Sequence, residues 1–117
     1  MGRLNMADFS EIRSDNNEVI RVVRISDDDV AANGGNLSAE AETWVANNIP
    51  NDPLLMEQKG WGEYPSTYWK QTAKDHSFRK CFGRKGSTYD SSHDGFIPKN
   101  EFPDEGLSFN TTKWVWE

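Results

Sequence analysis

Hydrophobic and polar positions alternate over short stretches along most of this chain, a period that points to strands rather than long helices. Phe9 to Ile12 and Glu18 to Ile25 are rich in β-formers and flank the run Ser14-Asp15-Asn16-Asn17, which predicts an N-terminal hairpin. In its second arm Val19, Val23 and Ile25 alternate with Arg21 and Arg24, as in a half-buried strand, while Ile20 and Val22 blur the pattern. Asp27-Asp28-Asp29 ends the hairpin, and Asn33-Gly34-Gly35-Asn36 reads as a flexible loop. The period then changes. Ser38 is placed to cap a helix running to about Asn48, with Glu40 and Glu42 near its positive end. Leu37, Ala41, Trp44, Val45 and Ile49 form one apolar stripe, with Trp44 as the ring that staples the helix to a sheet. Pro50 and Pro53 stop this helix.

The strand period returns after an irregular, ring-rich loop, WGEYPSTY. Thr67 to Thr72 reads as a strand, Ser77 to Phe82 as another, and Gly83 to Gly86 as a turn. Thr88-Tyr89-Asp90 and Phe96-Ile97 predict a second hairpin. Leu107-Ser108-Phe109 and Lys113-Trp114-Val115-Trp116 predict a third, closed through Asn110-Thr111-Thr112, with Trp114 and Trp116 on one face and Val115 on the other. The expected fold is α+β, mainly β: a small antiparallel sheet of hairpins with one amphipathic helix at about 38–48. There is no internal repeat.

Composition sharpens this picture. The 117 residues are enough for one domain, and only 35% are hydrophobic while 12% are aromatic, five of them Trp. The core is therefore expected to be small and built from rings. A single cysteine, Cys81, excludes an internal disulfide and a multi-thiolate metal site. No apolar run approaches the ~20 residues needed to span a bilayer and no signal-peptide core is present, so a soluble chain is expected.

The net charge of −6 argues against nucleic acid as a partner. It is unevenly distributed: residues 70–85 hold Lys70, Lys74, Arg79, Lys80, Arg84 and Lys85 against Asp75 alone. Such a block is ordinarily a solvated face; the sharper reading is a patch that docks on an acidic protein surface. Trp61, Tyr64, Tyr68 and Trp69 cluster within nine residues. They read first as core, and otherwise as a sugar-stacking platform or a surface buried against another subunit.

Residues 90–101, DSSHDGFIPKNE, place Asp90, Ser92, Asp94 and Glu101 at positions 1, 3, 5 and 12 of a calcium-loop pattern. That motif needs a helix on each side. Gly83, Gly86, Ser87 and Thr88 make a poor one upstream, while Pro98 and Pro103 oppose one downstream at about 3 kcal/mol for an interior proline. A plain hairpin turn outweighs calcium here. His76 and His93 read as surface histidines, and no nucleophile elbow, Walker loop or dinucleotide fingerprint is present. The expectation is a non-enzyme with no cofactor.

Several of these stretches together resemble a known family. MADFSEI from Met6, NEVIRVVRI, WKQT at 69–72, FRKCFGRKGSTYD at 78–90, DGFIP at 94–98 and the closing tryptophan segment are similar, in that order, to short proteins of tailed phages of marine bacteria, including cyanophages and pelagiphages. The resemblance covers nearly all of 6–117. It departs after Phe-Ile-Pro, where that family continues Pro-Lys-Pro with an aromatic, Ser and Trp; this chain has Lys99-Asn100-Glu101-Phe102-Pro103-Asp104. Residues 1–5 precede the family-like start and read as an arm or extension.

The resemblance implies a virion component made in the host cytoplasm. Its partners would be other capsid or tail subunits or further copies of itself, with a decoration or cementing role on the capsid first, then a tail accessory or host-glycan adhesion module, then a small host-interaction protein. The residues expected to make contacts are Leu4, Trp61, Tyr64, Tyr68, Trp69, Lys70, Arg79, Lys80, Arg84 and Lys85.

Overall fold

The structure, a computed structural model, describes residues 6–117; the proposed arm, with Leu4, lies outside the described residues. Strands β1 (Met6–Arg13) and β2 (Val19–Ser26) form the N-terminal hairpin, and β3 (Thr67–Thr72) pairs antiparallel with the other edge of β1, giving the order β2-β1-β3. Helices α1 (Asp27–Ala32), α2 (Ala39–Asn48) and α3 (Pro53–Lys59) fill the connection between β2 and β3. Two further hairpins follow, β4 (Thr88–Asp90) with β5 (Gly95–Ile97) and β6 (Phe109–Asn110) with β7 (Val115–Trp116). The mainly β, α+β architecture expected from the alternation is the one observed.

The central sheet is covered on both faces. Ala7, Phe9, Ile25 and Trp69 lie against Val30 of α1 and Ala41 and Val45 of α2, with Trp44 and Ile49 closing the rim, so Trp44 does staple the helix to the sheet. On the opposite face Ile12 and Val19 meet Tyr89 and Phe96 of the second hairpin, flanked by Val22 and Tyr68. Two buried faces explain why the alternation in β2 is blurred, since apolar residues are wanted on both.

A register shift between Glu11 and Ile12 completes the explanation: Glu11 pairs with Arg21 but Ile12 pairs with Val19, leaving Ile20 as the extra residue of a bulge. Val19 is thereby turned to the face opposite Val23 and Ile25, a correction to the single stripe expected. Leu37 also leaves its expected stripe. It takes a left-handed backbone (φ 62°) before the α2 cap, and its side chain is exposed.

Two helices were hidden behind residues that read as terminators. Ser26 caps α1 by accepting from the Asp29 N–H (3.2 Å), and the three aspartates sit in the first turn, where the helix dipole favours them. Asp52 caps α3 through Leu54 N–H (3.0 Å) and Leu55 N–H (3.3 Å). Pro53 occupies the first helical turn, where its missing N–H costs nothing, and Gly60 ends the helix in the left-handed region.

The strand expected at Ser77–Phe82 is absent. Arg79 and Lys80 both have positive φ (51° and 72°), which no strand accommodates. This β3–β4 loop is nevertheless tightly held. Gly83 donates to Thr72 Oγ1 (2.7 Å), accepts from Ser10 Oγ (2.5 Å), and lies so close to Phe96 that an added Cβ would fall 2.5–2.7 Å from the ring.

Candidate functional site

The basic block divides into one internal residue and several external ones. The Arg79 side chain is only 7% exposed: its Nε lies 2.8 Å from Asp94 Oδ1, its Nη2 3.2 Å from Glu42 Oε2, and its Nη1 donates to the Gln71 carbonyl (2.9 Å). Glu42 also accepts from the Gln71 N–H (3.1 Å) and lies 3.5 Å from Lys70 Nζ, which sits over the Tyr89 ring. One guanidinium thus ties α2, β3, the β3–β4 loop and the β4–β5 turn together. Arg79 and Lys70 are framework residues. Lys80, Arg84 and Lys85 do face outward; Lys80 lies over Trp114, and Arg84 stands 3.7 Å from Glu101.

The four rings likewise do not share one surface. Trp69 is in the core with the Arg21 guanidinium over its face. Tyr68 donates to Asn17 Oδ1 (2.7 Å) and packs edge-on against Tyr89. Tyr64 donates to Glu11 Oε1 (2.8 Å), and Trp61 is half-buried, edge-on to Tyr64 with Arg13 over its ring. The half-buried Trp61 and Tyr64 rings stand nearly perpendicular (86°) and are not coplanar.

Glu11 is the centre of a second buried network. It is 2% exposed within the sheet and accepts from Arg21 Nε (2.5 Å), Tyr64 OH (2.8 Å) and Thr67 Oγ1 (2.7 Å). Burial, and then the hydrogen bond to the Glu11 carboxylate, push the Tyr64 phenol up to about 12; burial and the bond to Asp94 do the same for Tyr89. A phenol raised in the folded state from an ordinary value of ~10 favours folding while it stays protonated. That contribution is complete below pH ~10 and is lost as the pH rises toward about 12. Urea unfolding midpoints are therefore expected to fall between pH 9 and 12, and the fall is expected to be shallower in a Tyr64→Phe, Tyr89→Phe double variant.

The calcium-like segment is a hairpin. β4 enters it and β5 leaves it, and Glu101 lies beyond β5, paired with Arg84. Asp90 accepts from the Ser92 and His93 N–H groups (3.0 and 3.4 Å), and its other oxygen lies 2.7 Å from His93 Nδ1. Burial pushes Asp94 up, but hydrogen bonds from Tyr89 OH (2.5 Å) and Arg79 more than offset this and hold it below the usual carboxylate range. The carboxylates are thus spent on hydrogen bonds at the turn. Among the described residues no group of three or more His, Cys, Asp or Glu is arranged to hold a metal ion. His76 Nδ1 accepts from the Phe82 N–H (3.0 Å), and Cys81 donates to the Phe96 carbonyl (3.1 Å), with burial pushing its thiol up.

What sequence reasoning missed is the far end of the molecule. The β6–β7 hairpin is anchored by its indoles: Trp114 Nε1 donates to the Phe96 carbonyl (2.7 Å) and Trp116 Nε1 to the Pro98 carbonyl (2.8 Å), with Phe109 edge-on to both rings. Both indoles pack on the same Phe109 ring, but Trp114 does so from a left-handed turn position (φ 60°) rather than from the expected strand, because β7 begins only at Val115. Beside them Pro98, Lys99, Asn100, Glu101, Phe102, Glu105, Leu107 and Trp116 line an open groove of about 450 Å³. Phe102 stands 58% exposed at its edge and Val115 is 44% exposed. The available signal was Phe102 and Leu107 embedded in an otherwise charged, proline-containing run.

Compared with protein-family models, curated proteins and solved structures, the chain matches none. Among the described residues no helix is long and apolar enough to cross a membrane.

Proposed function

We propose that this protein is a non-enzymatic structural component of a phage particle, a capsid decoration or cementing protein in the first instance, that holds neighbouring subunits together by adhesion. The observation that carries adhesion is the exposed apolar end: Phe102, 58% exposed, lines an open groove together with half-buried Trp116 and Leu107. Large apolar side chains grouped in this way mark contact surfaces. The place in a particle rests on the family resemblance of the motifs from Met6 to the closing tryptophans. A tail-accessory position would use the same surface and the same chemistry.

Mass spectrometry of purified particles of the phage that encodes this chain tests the reading. The protein is expected in mature particles in a fixed ratio to the shell or tail protein it contacts. Its absence from particles, with abundance confined to infected-cell lysate, would replace this reading with that of a small host-interaction protein.

A further inference from the structure

We infer that the groove beside Trp116 receives Phe102 of a second copy of this chain, so that two copies join across a two-fold axis by exchanging this ring. The inference rests on the adhesive reading above and names the partner of that surface.

Three observations lead to it. First, projection and recess lie on the same surface: Phe102 is 58% exposed and itself forms part of the groove wall, together with half-buried Leu107, Pro98 and Trp116. When a knob and its hole share one patch, a two-fold axis lets both copies fill both holes at once, the condition for a closed, isologous contact.

Second, the rim carries both signs. Lys99 and Glu105 line the groove, both are exposed, and neither has an ion-pair partner among the described residues. A partner of uniform charge would leave one of them opposed, whereas a second copy brings a carboxylate for each Lys99 and an ammonium for each Glu105. Glu101, also on the rim, already stands 3.7 Å from Arg84, so Lys99 and Glu105 are the pair left for a second copy to complement.

Third, the surface is held in shape before any partner arrives. The 3-10 turn Pro103–Glu105 follows directly on Phe102, Asn100 Oδ1 accepts from the Phe102 N–H (2.9 Å), and the Trp116 indole is fixed on the Pro98 carbonyl (2.8 Å). Little ordering remains to be done on contact, which favours binding.

Analytical ultracentrifugation of the full chain over a wide concentration range tests the exchange. The unaltered protein is expected to pass from monomer to dimer, and Phe102→Lys to weaken the dimer by more than about tenfold. Phe102 is exposed, so an unchanged circular dichroism spectrum, and an unchanged melting temperature at concentrations where both proteins are monomeric, are expected to show that this variant still folds. Lys99→Glu and Glu105→Lys are each expected to weaken the dimer, and the double variant to regain most of the loss, because the two charges are swapped together.

A chain that stays monomeric at every concentration overturns the inference. So does a dimer indifferent to Phe102→Lys, or a double variant as weak as the sum of its parts. None of these results touches the particle assay: a monomer found in mature particles would keep the proposed function and send Phe102 to a different shell protein.

Discussion

Replacing Arg79 by alanine is expected to lower the unfolding free energy by about 3–5 kcal/mol, the range for removing one partner of a buried ion pair. The cost does not come from the lost arginine alone. Glu42 stays behind, nearly buried on α2, with only the more distant Lys70 to balance it, and the Gln71 carbonyl loses its donor. For a domain whose whole stability is of the order of 5–15 kcal/mol, the loss is severe. Arg79→Lys is expected to recover only part of it, because an ammonium is a point donor and cannot span Glu42, Asp94 and the Gln71 carbonyl in one plane. Arg84→Ala and Lys85→Ala, on the same basic stretch but facing solvent, are expected to stay within about 0.5 kcal/mol of the parent. Urea denaturation of these four variants checks the division. Similar losses at positions 79, 84 and 85 would contradict it.

The second large effect is expected at Arg21. Arg21→Ala removes the Nε donor from Glu11, a bond to the Pro50 carbonyl (2.6 Å) and the cation over Trp69. A carboxylate 2% exposed then keeps only two neutral hydroxyl donors, Tyr64 and Thr67. A loss of about 3–5 kcal/mol follows from the same reasoning. The informative comparison is the double variant Arg21→Ala, Glu11→Leu. With the charge removed as well, it is expected to be more stable than Arg21→Ala alone, since an unpaired buried charge is worse than none. A double variant less stable than the single would mean that Glu11 acts by something other than its charge.

These two networks mark where reading the chain as a string reaches its limit. The hairpins, the α2 helix and its tryptophan staple follow from local period and capping, and all are present. Arg79 was legible only as one more member of a cationic run, because the carboxylate that draws it inward belongs to a helix far back in the chain. Its left-handed backbone, shared by Lys80, abolishes the strand expected at Ser77–Phe82. Pro53 and the three aspartates at 27–29 were misread for a different reason. Each is compatible with ending one element and with beginning another, and only the apolar residues that follow, Leu55 and Val30, decide between them.

The rings at Trp61–Trp69 read first as core and otherwise as contact chemistry; Trp69 lies in the core, Trp61, Tyr64 and Tyr68 are half-buried, and among the described residues the exposed ring is Phe102. Period and spacing do not reveal this, because whether a ring is covered depends on what the third dimension brings to it. The segment Lys99 to Glu105 carries both the exposed ring and both signs of charge.

The covering of the central sheet by residues from its distant end also bears on how the chain is made. The hydroxyl of Ser10 finds its acceptor 73 residues later, at Gly83, and the Tyr89 and Phe96 rings that complete the cluster around Ile12 come later still. At synthesis rates of roughly 5–20 residues per second, that interval lasts about 4–15 s. Once Ser26 has been made, the paired strands β1 and β2 spend the rest of it with that face incompletely covered, so newly made copies on neighbouring ribosomes are open to mispairing before any of them is complete.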